Sequence, residues 1–107
     1  MKKVEREMLK QLEEMEDFLR DCSLVRNVRI ENRVHYRKRQ RRKQGAYFEV
    51  LGLDDPGIRI RLGFGSLYRN VTVYVGKPGT RPTIEEFEEL KRYLKRYQTE
   101  VWDKVTS

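Results

Sequence analysis

The chain has 107 residues, with 24 Lys and Arg against 17 Asp and Glu, a formal net charge of +7 and a pI near 9.7. That length supports one modest core, residues 1–107 as a single domain, and argues against a large active-site cleft, while the charge points to an anionic partner, nucleic acid or an acidic membrane surface. A single cysteine, Cys22, and a single histidine, His35, exclude an intramolecular disulfide and a Cys/His metal cluster.

Residues 3–23 place Met8, Leu12, Met15, Leu19 and Cys22 at helical spacing, with Val4 and Phe18 flanking, which predicts an amphipathic helix. From Val28 the period changes to two, predicting strands within 26–76. Val28, Ile30, Val34 and Tyr36 share one parity and Arg29, Arg33, His35 and Arg37 the other. A tight turn at Glu31-Asn32-Arg33 would keep Ile30 opposite Val34. After a basic loop at 37–45, "AYFEVLGL" reads as strand and "DDPG" as a turn. Next, "IRIRLGF" alternates Ile58, Ile60, Leu62 and Phe64 with Arg59 and Arg61; "GSLYRN" reads as a turn, and "VTVYV" alternates Val71, Val73 and Val75 with Thr72 and Tyr74. "GKPGTRP" ends the sheet, and Thr83 with Glu86 forms a capping box for a helix over 83–105, whose stripe is Ile84, Phe87, Leu90, Leu94, Tyr97, Val101 and Val105. The expected fold is a two-layer α+β domain: an antiparallel sheet of three to five strands with the N- and C-terminal helices on one face, and Ile58, Ile60, Leu62, Val71, Val73, Phe87, Leu90 and Leu94 in its core.

Enzyme motifs are sparse. "GFGSLY" has Tyr68 where a dinucleotide fingerprint needs its third glycine, and His35 has neither a serine nor a cysteine partner in view, so no catalytic residue and no cofactor is expected. Asp54, Asp55 and Glu49 keep a metal-dependent nuclease open as an alternative, although Asp54-Asp55-Pro56-Gly57 has turn composition and the acids of 85–89 suit a helix N-terminus. Cys22 falls on the apolar stripe of the first helix and reads as a small buried hydrophobe. No run is long and apolar enough for a membrane span, the N-terminus has no signal-peptide stretch, and a soluble cytoplasmic protein with no membrane partner is expected.

The basicity is localised. Residues 26–44 hold nine cations against Glu31, and "RKRQRRK" at 37–43 holds six cations in seven residues. If the even parity of the strands is buried, the open sheet face presents Arg29, Arg33, His35, Arg37, Tyr47, Leu51, Arg59, Arg61, Thr72 and Tyr74, with Glu49 as its acid. Arginines neutralise phosphates and aromatic rings stack bases whatever their sequence. The expectation is sequence-tolerant binding of single-stranded DNA or RNA. Tyr47 and Tyr74 would stack bases, Arg29, Arg33, His35, Arg37, Arg59 and Arg61 would meet the backbone, and Lys38, Arg39, Arg41, Arg42 and Lys43 would form a basic arm. A regulatory module with an acidic protein partner is the other alternative. Two near-heptad helices on a small domain, with Trp102 beside the last stripe, point to a homo-oligomer.

The order helix, antiparallel sheet, helix, together with the basic and aromatic sheet and 38% charged residues of thermophile type, resembles the ThermoDBP group of single-stranded DNA-binding proteins and their relatives in thermophilic archaea. The resemblance implies a non-OB fold, an aromatic-lined cleft flanked by basic residues, and assembly into dimers or tetramers. The chain departs from that group after Val105, where no long leucine zipper follows. Residues 46–105 are also faintly similar to Whirly-type single-strand binders, which the N-terminal helix does not fit.

Overall fold

A computed structural model describes the backbone of residues 3–37 and 45–106 and the side chains of 6–37 and 45–100. Helix α1 (Lys3–Asp21) is followed by strands β1 (Val25–Ile30), β2 (His35–Tyr36), β3 (Ala46–Asp54), β4 (Gly57–Phe64) and β5 (Leu67–Val75), and then by helix α2 (Ile84–Thr106). The strands form one antiparallel sheet in the order β1-β5-β4-β3, and β2 lies along β5 beyond β1. The expected α+β fold is therefore the observed one, with five strands.

Local chemistry explains the hairpins. Between β4 and β5 only Gly65 and Ser66 turn the chain, and Gly65 takes φ 62°, the left-handed region that such a two-residue loop requires. Asp55 and Pro56 turn β3 into β4. Strand β3 is bulged between Val50 and Gly52, where Gly52 takes φ 144°. At the start of α2 the capping box is formed: the Thr83 N–H donates to Glu86 Oε1 at 2.9 Å and the Glu86 N–H to Thr83 Oγ1 at 3.1 Å.

Both helices cover the same sheet face. Leu12, Met15 and Leu19 of α1 and Leu90 and Leu94 of α2 join Ile58, Ile60, Leu62, Val71, Val73 and Val75 in one core, with Phe87 packed at its margin. Each fully buried aliphatic side chain contributes about 1.5–3 kcal/mol. Phe18 bridges the helices, its ring centroid 4.8 Å from Tyr93 and 4.0 Å from Tyr97. Among the described helices none is long and apolar enough to cross a membrane.

One expectation is corrected. Residues 31–33 do not reverse the chain, and Ile30 does not face Val34. Ile30 pairs with Val71 and His35 with Tyr68, so β1 and β2 run in one direction along the same partner, and 31–34 is a detour that takes up two extra residues. The Glu31 N–H still donates to Asn70 O at 3.1 Å, which holds the detour to the sheet.

Candidate nucleic-acid interface

With the helices on one side, the register fixes what the other side shows. Arg29, Thr72 and Arg59 lie in one row across β1, β5 and β4; Asn70, Arg61 and Glu49 in the next; His35, Tyr68, Gly63 and Tyr47 in a third. This is the odd parity of β4 and the even parity of β5, and among the described residues no helix packs over it.

Tyr68 is the centre of the third row. His35 stacks on its ring at 4.8 Å and 13°, and the guanidiniums of Arg37 and Arg61 lie 5.0 Å and 4.7 Å from its centroid. Three cationic or protonatable groups thus share one ring. Their acidic partners are few and distant: His35 Nε2 is 3.6 Å from Glu31 Oε1, and Arg61 Nη1 is 3.8 Å from Glu49 Oε2. His35 Nε2 and Arg61 Nε are buried with no hydrogen-bond acceptor among the described residues. The composition of "GSLYRN" predicts a turn through Tyr68, which instead lies in β5. The signal that would have found it is the alternation Leu67, Arg69, Val71, which carries β5 back to the glycine.

Tyr47 behaves otherwise than expected. It is 1% exposed, and its ring lies against Gly63, where a Cβ would overlap it. Burial raises the pKa of its hydroxyl above 10.0, the neighbouring Arg37 and Arg61 notwithstanding. Such a ring is not presented to a base. Tyr74 is half-buried, with the Arg26 guanidinium 5.6 Å from its ring, held there by a hydrogen bond from Arg26 Nε to Gly76 O at 3.1 Å.

Farther along β5, Thr72 Oγ1 donates to Asp54 Oδ2 at 3.3 Å and Arg29 Nη2 approaches the same oxygen at 3.4 Å. Arg59 and Arg33 are exposed, Arg33 on the 31–34 detour. Lys38, Arg39, Arg41, Arg42 and Lys43 lie outside the described residues. The positions that flank them are anchored at the β4–β5 turn: the Arg37 N–H donates to Ser66 O at 2.8 Å, and the Gly65 N–H to Gly45 O at 3.3 Å. Both ends of the basic run therefore start beside the Tyr68 cluster. Trp102 also has its side chain outside the described set.

The carboxylates offered for a nuclease are divided among separate partners. Asp54 goes to Thr72 and Arg29, Glu49 to Arg61, and Asp55 to a two-pronged pair with Arg81 at 2.9 and 2.8 Å. Among the described residues no three His, Cys, Asp or Glu side chains gather as a metal set. Cys22 is buried at the end of the helical stripe, as its spacing predicts. Comparison with known proteins finds no matching family model, no matching curated protein and no matching solved structure.

Proposed function

We propose that the chain binds single-stranded DNA or RNA across the uncovered sheet face, with the basic run at 37–45 as an arm at one corner. The observation that carries this reading is the gathering of Arg37, Arg61 and His35 on Tyr68, beside both anchors of that run. A guanidinium over a ring is worth about 0.5–1 kcal/mol when exposed and about 2 kcal/mol when desolvated, whereas a base stacked on an aromatic ring is worth about 1–3 kcal/mol. A base that replaces the guanidinium on Tyr68 or Tyr74 gains by the exchange, and the displaced arginine is then free to meet the phosphate that arrives with it. Arg33, Arg37, Arg61 and the arm residues Lys38, Arg39, Arg41, Arg42 and Lys43 hold the backbone, which makes most of the binding tolerant of sequence.

The test is fluorescence anisotropy of a short single strand and its duplex across salt concentrations. The single strand should bind more tightly, because paired bases cannot reach the rings. Replacing Arg39, Arg41 and Arg42 by Gln should flatten the log–log salt dependence by about 0.7 for each phosphate no longer neutralised, while Tyr68→Ala should weaken binding with the slope nearly unchanged. Equal affinity for duplex and single strand overturns the proposal.

A further inference from the structure

Toward the other end of β5 from Tyr68 a groove of about 250 Å³ opens on the same face, lined by Arg29, Glu31, Asp54, Arg59, Asn70 and Thr72. Its charge is balanced, unlike that of the Tyr68 cluster. A phosphate entering it would meet the carboxylates of Asp54 and Glu31 as well as two guanidiniums. What the groove offers instead is hydrogen-bonding groups with capacity left for a ligand. Thr72 and Arg29 both approach Asp54 through Oδ2, which leaves Oδ1 without a partner among the described residues. Asn70 Oδ1 is buried and likewise unpaired among them. Arg59 is exposed and makes no ion pair with any described carboxylate.

Such a set suits an uncharged, flat group that carries donors and acceptors along one edge. An unpaired nucleobase is that group, since its Watson–Crick edge is free. Guanine has two adjacent N–H donors on that edge, N1–H and the 2-amino group, beside the acceptor O6. A carboxylate accepts from both donors, and arginine is the usual partner of O6. We infer that the groove is a base-reading subsite selective for guanine, with Oδ1 of Asp54, the oxygen that Thr72 and Arg29 leave open, accepting from N1–H and the 2-amino group and Arg59 donating to O6. This rests on the face being a single-strand surface, and it adds one position of sequence preference to an otherwise tolerant interface.

The experiment compares labelled oligothymidylate with the same strand carrying one central guanine, inosine or cytosine, again by anisotropy. The guanine strand should bind roughly tenfold more tightly than oligothymidylate, the value of one good bidentate pair. Inosine, which keeps N1–H and O6 but lacks the 2-amino group, should lose part of that gain. Asp54→Asn keeps the shape and the hydrogen bond from Thr72, yet should bring the guanine and thymine strands to equal affinity. The ratio is the readout, because removing an acid strengthens binding to every strand. Arg59→Gln should lower the same ratio while weakening every strand. A guanine strand bound no better than thymine, a preference for cytosine, or a preference that survives Asp54→Asn overturns the subsite and leaves the broader proposal standing. No binding to any strand overturns both.

Discussion

At Gly63 the missing side chain is what lets Tyr47 lie across β4. A Cβ there would overlap the ring carbons and the hydroxyl of a residue that is itself 1% exposed. Gly63→Ala should therefore destabilise the fold by about 1–3 kcal/mol, the usual cost of overpacking a filled site. In a Tyr47→Ala background the same change should cost little, so chemical denaturation of the two single variants and the double variant should show strong non-additivity. Additive costs would place the strain elsewhere. This pair also shows why residue roles are hard to read from the sequence. The parity of Tyr47 is legible and correctly puts it on the uncovered face. Its burial is not, because the slot it fills is made by a glycine on the neighbouring strand, and nothing along β3 announces that glycine. Tyr68 escapes for a nearer reason: Gly65 and Ser66 alone suffice for the turn, and the composition of "GSLYRN" suggests a longer one.

Arg69 sits on the apolar parity of β5, and Glu16 lies within the apolar arc of α1 between Met15 and Leu19. They meet at 2.6 Å, with the Glu16 side chain 6% exposed, and so join helix to sheet through the core. Glu16→Ala should cost about 3 kcal/mol, near the lower end for breaking a buried pair, since Arg69 also has a buried Nε with no acceptor among the described residues. Replacing both by apolar residues, Glu16→Leu with Arg69→Met, should recover most of it; urea unfolding with an unchanged m value is the measure. A double variant as unstable as the single one would count against this view. At the element scale most of the architecture is legible: both helices, the capping box, and the β4 and β5 alternation follow from spacing alone. What fails does so where a partner is distant in sequence. An arginine on an apolar parity looks like the end of a strand until its acid is known to be on α1. Residues 31–34 look like a hairpin turn until β5 is seen to pair with the segments on both sides of them.

For the whole molecule, burial holds the hydroxyls of Tyr47 and Tyr97 protonated above the ordinary value of 10.0. In the unfolded chain these phenols ionise at that ordinary value, so above it the folded state binds more protons. Stability from this source is complete below about pH 10 and falls as pH rises through the raised values. Thermal midpoints should decline above about pH 10, less steeply in Tyr97→Phe; identical alkaline profiles for variant and parent would refute the assignment. The 31–34 detour has a further effect on the molecule in solution. It divides what would have been one long outer strand into a six-residue and a two-residue piece. On the opposite border β3 is kinked by its bulge, and Gln98 Oε1 accepts from the Phe48 N–H at 3.3 Å, covering a group that would otherwise point outward. Among the described residues neither border then offers the long, flat row of free amides on which a second copy adds as a strand. A sheet left open on one face is in this way protected at its sides against fibrous growth.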